Sequence, residues 1–209
     1  MDTGSDDSDN NNINNIYLRE RDENLKEYSY SNEFKFNIIS DKKSKRVNIG
    51  EITGHFFDLS SINSERKTDN IINILNQYDD ETFDICRNLC RETNCIKGSG
   101  NNIVHLDRFY IDSNYRGNGT GRETLHYFKD EISNLLKEDV RYIALFPDPI
   151  TDDKNFDSLY DMDLKQRTNK IKKLKSFYSS LGFKEMKVKS DYMYLDLYSD
   201  YDNMRNYSN

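Results

Sequence analysis

Three glycines, Gly117, Gly119 and Gly121, fall within five residues, where a β pattern gives way to a helical one. The β pattern is IVHLDRFYI, 103–111. The helical one, 122–138, sets Leu125, Phe128, Ile132, Leu135 and Leu136 on one face. Without β-carbons, the backbone of such a turn lies open to a ligand. The first amides of the following helix lack partners within it, and its dipole adds partial positive charge there. Turn and helix start together make an anion site, most naturally for phosphates, flanked by Arg116 and Arg122. Thr120 and Glu123 fit a capping box, which predicts a helix starting at this point. A flexible loop before a capped helix has the same local pattern. Two nucleotide motifs are excluded. There is no G-x-x-x-x-G-K-[ST], and the spacing G-x-G-x-G lacks the further x-x-G of the dinucleotide fingerprint.

The remaining elements alternate between strand and helix. Phe34, Phe36 and Ile38 alternate with polar residues in EFKFNII, 33–39, which predicts a strand. A second extended region, RVNIGEITGHFFDL, 46–59, contains Gly50 and Gly54, either of which allows a bulge or turn. Ile71, Ile72, Leu75 and Tyr78 predict a helix over 69–78. Phe83, Cys86, Leu89 and Cys90 predict another over 82–92. KGSGNN, 97–102, reads as a loop. VRYIALF, 140–146, is almost continuously apolar, as in a strand covered on both faces. The segment 147–168 then interrupts with both prolines and six aspartates, long for a strand-to-helix connection. A last helix carries Ile171, Leu174, Phe177, Tyr178 and Leu181 and closes at Gly182; KEMKVK and YMYLDL make a final hairpin.

At 209 residues the chain suits one domain. Residues 1–15, rich in Asp, Asn and Ser, are expected to be a disordered tail, 16–198 the domain, and 199–209 a loose end. A hydrophobic fraction of 35% is low, and 15 Tyr and 11 Phe partly offset it. The net charge of −7 argues against nonspecific nucleic-acid binding. No apolar run approaches a membrane span, and the start lacks a signal-peptide pattern, so a cytoplasmic protein is expected. Cys86, Cys90 and Cys95 have no histidine nearby and read as reduced, buried thiols; no metal site is expected.

The motif R-x-x-G-x-G between strand and helix, here Arg116, Gly119 and Gly121, resembles the acyl-CoA loop of the GNAT N-acetyltransferase family. A second stretch, KLKSFYSSLGF, 173–183, is similar to that family's late helix with its aromatic-Tyr-x-x-x-Gly-Phe ending. The pieces occur in the family's order, and the resemblance covers roughly 103–197. It implies an α/β (α+β) fold: a mixed, mostly antiparallel sheet with a central splayed parallel pair, 103–111 and 140–146, flanked by helices. An asparagine that many members carry early in the late helix is absent: Ile171 stands there, with Asn169 two residues before it.

The resemblance further implies acetyl-CoA as cosubstrate and transfer of its acetyl group to a primary amine by direct attack. Main-chain groups near Phe109, Tyr110 and Ile111 would hold the pantetheine arm. Arg116, Gly117, Asn118, Gly119, Thr120, Gly121 and Arg122 would hold the diphosphate. Tyr178 is the family's proton donor to the leaving thiolate, and a phenol is protonated at neutral pH. His105 stands where several members carry a glutamate. His105 and Asp107 share one strand face by the period of two, and either can serve as base. Glu51 and His55 rank behind them. The aspartates Asp148, Asp152, Asp153, Asp157, Asp161 and Asp163 suit a cationic amine, although such runs are commonly solvated loops. Likewise, the lysines Lys170, Lys172, Lys173 and Lys175 suit the cofactor's phosphates or a solvent face. The partners expected are acetyl-CoA and an amine acceptor, with no membrane and no nucleic acid; a homodimer stays open. Two rival readings remain: a CoA- or protein-binding module without efficient turnover, and a toxin-type enzyme acetylating aminoacyl-tRNA, against which the acidic balance counts.

Overall fold

The computed structural model describes residues 16–20, 27–28, 31–42, 45–59, 79–95, 101–150 and 163–199. The tail 1–15, the helix over 69–78, most of the loop 97–102, most of the aspartate segment (151–162) and residues 200–209 lie outside the described residues.

One mixed sheet organises the chain. Its strands are β1 (Ile16–Glu20), β2 (Glu27–Tyr28), β3 (Ser31–Lys42), β4 (Lys45–Phe57), β5 (Ile103–Ile111), β6 (Tyr142–Leu145), β7 (Lys184–Glu185) and β8 (Met193–Asp196). Their order is β1-β3-β4-β5-β6-β8-β7, with β2 paired to β3. Every pair is antiparallel except β5 with β6. The helices α1 (Asp80–Thr93), α2 (Thr120–Leu136) and α3 (Leu164–Ser179) complete a mixed α+β fold. No helix among the described residues is long and apolar enough to cross a membrane.

The strands form where alternation predicts them. In β3, Phe34, Phe36 and Ile38 are buried while Glu33, Lys35 and Asn37 stay partly exposed. The larger core joins these side chains to Val104 and Leu106 of β5 and to Leu125, Phe128 and Ile132 of α2. A second core, on the other face, joins Ile103 to Ile85 and Leu89 of α1. β1 is an addition to the sequence reading. Its five residues pair with Phe36–Ser40 of β3, and only Leu18 among them is buried. So short a pattern carries little periodicity, and the edge of β3 supplies the order.

Two irregularities in β5 create the site. The first is a bulge against β4. Gly54 pairs with Leu106 and Thr53 with Arg108, so Asp107 is the extra residue. A β-carbon on Gly54 would stand 2.1 Å from the His105 carbonyl oxygen and 2.7 Å from the Phe34 ring, so the strands approach this closely only at a glycine. The bulge reverses the alternation: Val104 and Leu106 before it, and Phe109 and Ile111 after it, all reach the larger core. The second is a parting of the parallel pair. β5 and β6 pair only over Ile103–His105 and Tyr142–Ala144. β6 ends at Leu145 while β5 continues to Ile111, and a cleft opens between them.

Candidate functional site

The glycine turn closes one end of the cleft. After β5, residues Ser113–Tyr115 make one 3₁₀ turn, and Gly117 and Gly119 then take left-handed backbone, φ +89° and +87°. This is a conformation in which β-carbons are strained, and a β-carbon at either residue would meet nothing within 4 Å. The capping box is replaced by a different arrangement. Gly119, not Thr120, is the N-cap of α2, and it has no side-chain cap. Thr120 is the first helical residue, and its buried hydroxyl has no hydrogen-bond partner. Arg116 folds back: its Nε donates to the Ile111 carbonyl at 2.6 Å and its guanidinium lies 5.2 Å from the Tyr110 ring centroid. Arg122 Nη2 donates to Ser180 Oγ at 2.9 Å, tying the start of α2 to the end of α3.

The cleft holds about 580 Å³. One wall is β5, with Leu106, Asp107, Phe109, Tyr110 and Ile111. The other runs from Leu145 to Ile150 and onto α3 at Lys170, Lys173, Leu174, Phe177 and Tyr178. Arg116, Gly117, Gly119, Gly121 and Arg122 line it as well, whereas Asn118, Thr120 and His105 do not. Tyr178 is 7% exposed, and its ring packs edge-on against Phe177 and Phe183. Burial pushes its phenol well above the ordinary tyrosine range, so the hydroxyl keeps its proton. The lysine run divides: Lys170 and Lys173 face the cleft, while Lys175 pairs with Glu185 at 3.1 Å.

Both signs of charge line this cleft. Arg116 and Arg122 line it beside the glycine turn, which follows Ile111, and Lys170 and Lys173 line it from α3. Asp107 lies four residues before Ile111, about 13 Å back along the strand. Asp107 and Asp148 are the carboxylates of the lining, and Asp148 is paired with Arg167 at 3.5 Å. Burial raises the Asp107 carboxyl, with Asp79 adding to the shift; His55, the Thr53 hydroxyl at 3.4 Å and Arg108 oppose it. Arg108 is itself paired with Glu51 at 2.9 Å.

Behind Asp107 stands the start of α1. Asp79 caps this helix, accepting from Thr82 N and from Thr82 Oγ1, both at 2.8 Å. Burial works to raise the Asp79 carboxyl, but these bonds outweigh it and hold the group low. Thr82 Oγ1 also meets His105 Nδ1 at 3.1 Å. His105 is 1% exposed and stacks on His55, ring centroids 6.2 Å apart. Burial, with His55 beside it, lowers the His105 imidazole to about 3, so the ring is neutral near pH 7. Glu81 is pushed up to about 7, first by desolvation and then by Asp107, Asp79 and Asp148; Lys189 pulls the other way. Glu81 and Thr82 are absent from the sequence reading. The available signal was the Asp79-x-x-Thr82 spacing of a helix start. Their position beside β5 is a matter of how α1 packs.

The fold and cleft define a mixed α+β protein with a groove, lined by both cations and carboxylates, where two parallel strands part. No protein-family model and no curated protein matches the chain. A chain in the crystal structure of the KacTA–DNA complex is similar at 12% identity and a TM-score of 0.41, over 86% of this chain and 76% of that one. That similarity is too slight to bear on function.

Proposed function

We propose that the protein is a GNAT-type N-acetyltransferase that moves an acetyl group from acetyl-CoA to a cationic primary amine. The observation that carries this reading is the cleft itself. It opens where two parallel strands separate, with the glycine turn, Arg116 and Arg122 in its lining after Ile111 and Asp107 four residues before Ile111. An extended anionic thioester and a cationic acceptor are the pair of ligands such a polarity suits. The residues present fit the cofactor's diphosphate: left-handed glycines with open space above them at a helix start, flanked by Arg116 and Arg122.

When bound, acetyl-CoA supplies an activated acyl thioester. The chain's own groups do the rest. Gly117, Gly119 and Gly121, with Arg116 and Arg122, hold the diphosphate; Lys170 and Lys173 add charge. Phe109, Tyr110 and Ile111 lie along the pantetheine arm. Asp107, with its raised carboxyl, takes the proton that the ammonium must lose to become a nucleophile. Tyr178 gives its proton to the departing sulfur. His105 does not line the cleft, so its part is to support the Thr82 and Asp79 network rather than to meet the amine.

A thiol-release screen of amines with acetyl-CoA tests the reading. Polyamines, aminoglycosides and lysine peptides are expected to release thiol well above neutral amines of the same size. Acetyl-CoA that binds but releases no thiol with any amine would contradict turnover and favour the binding module.

A further inference from the structure

Glu81 of α1 and His105 and Asp107 of β5 converge beside the cleft. One ligand atom from each lies within 4.8 Å of the other two. His105 is almost wholly buried, and its Nε2 has no hydrogen-bond partner. The chain of bonds behind the ring assigns its tautomer. An ionised carboxylate only accepts, so the Thr82 hydroxyl gives its single proton to Asp79 Oδ2. Toward His105 Nδ1, Thr82 Oγ1 is left as an acceptor. Nδ1 therefore carries the ring proton, and Nε2 presents a lone pair as the nitrogen open to a ligand.

The His105 Nε2 lone pair is buried without a hydrogen-bond partner, which is costly unless a donor or a cation reaches it. Of the neighbouring cations, Arg108 is paired with Glu51 and Lys189 with Asp84 at 3.0 Å, and each also attracts a carboxylate of the cluster, Arg108 that of Asp107 and Lys189 that of Glu81. We propose that Glu81, His105 and Asp107 form a binding site for a divalent transition-metal ion, zinc being the best match to the ligand set. Ligand atoms around a tetrahedral zinc stand about 3.4 Å apart, given bonds near 2.1 Å. The Glu81 and Asp107 side chains are exposed overall although their carboxyl groups are partly desolvated, and closing from within 4.8 Å to that spacing takes a rotamer change. Imidazole selects zinc and its neighbours over magnesium and calcium. The Asp79–Thr82–His105 chain orients the ring as outer-shell partners orient metal-bound histidines. Asp107 also lines the cleft, so a bound ion would stand beside it.

This inference competes with the acetyltransferase reading for Asp107, whose carboxylate cannot both hold zinc and take the ammonium proton; its test needs no acyl donor, so the two readings fail separately. Tag-free full-length protein, stripped with a chelator, is titrated calorimetrically with zinc chloride and separately with magnesium chloride. One zinc ion per chain is expected, with no saturable magnesium binding. Glu81→Gln, a surface change, and Thr82→Val, which leaves Nδ1–H without its acceptor, should each weaken zinc at least about tenfold with circular dichroism unchanged. X-ray absorption at the zinc edge should read one imidazole among oxygen ligands. Absence of saturable zinc binding, parental affinity in Glu81→Gln, or an absorption spectrum without imidazole would overturn the proposal.

Discussion

Gly119→Val is expected to abolish acetyl-CoA binding, by more than about a hundredfold, while the fold survives. Two effects combine at this residue. A β-branched side chain is strained at φ +87°, at a cost of roughly 1–2 kcal/mol that a domain of this size tolerates. The new side chain also meets no protein atom within 4 Å of its β-carbon, so it enters the open turn that the diphosphate is proposed to fill. Calorimetry with acetyl-CoA and a thermal melt separate these effects. Lost binding with a melt lowered by only a few degrees is the expected pair. Unchanged affinity would remove the turn from cofactor binding.

Tyr178→Phe is expected to lower kcat by roughly 10²–10⁴ and to leave acetyl-CoA affinity nearly as it was. The substitution keeps the ring and its packing against Phe177 and Phe183, so the larger core is undisturbed. It removes the one proton that a buried phenol is placed to give. Steady-state kinetics with any amine the screen finds provides the check, and parental kcat would take Tyr178 out of the mechanism.

Much of this architecture is legible in the residues, for reasons that differ by element. β5 occupies 103–111, as its apolar run predicts, because a strand in the middle of a sheet must be apolar along most of its length. The glycine turn is legible because left-handed backbone leaves few alternatives to glycine. The helix cap after it is not. Gly119 takes the position that Thr120 would fill in a capping box, and composition alone cannot choose between adjacent residues. In sequence Lys170 and Lys173 suit either phosphates or a solvent face, and only the packed molecule shows that both line the cleft. Asp107 and His105 share a face as the period of two predicts, but the bulge that isolates Asp107 depends on Gly54 of another strand. Glu81 and Thr82 come from a helix more than twenty residues upstream, and their meeting with His105 exists only in the packed molecule.

The most direct measurement is a crystal structure of the protein grown with acetyl-CoA. The account predicts diphosphate oxygens within hydrogen-bond distance of the backbone nitrogens of 117–122, the pantetheine arm along Phe109–Ile111, and the thioester between Asp107 and Tyr178. A diphosphate bound elsewhere, or an empty turn at saturating acetyl-CoA, would contradict it.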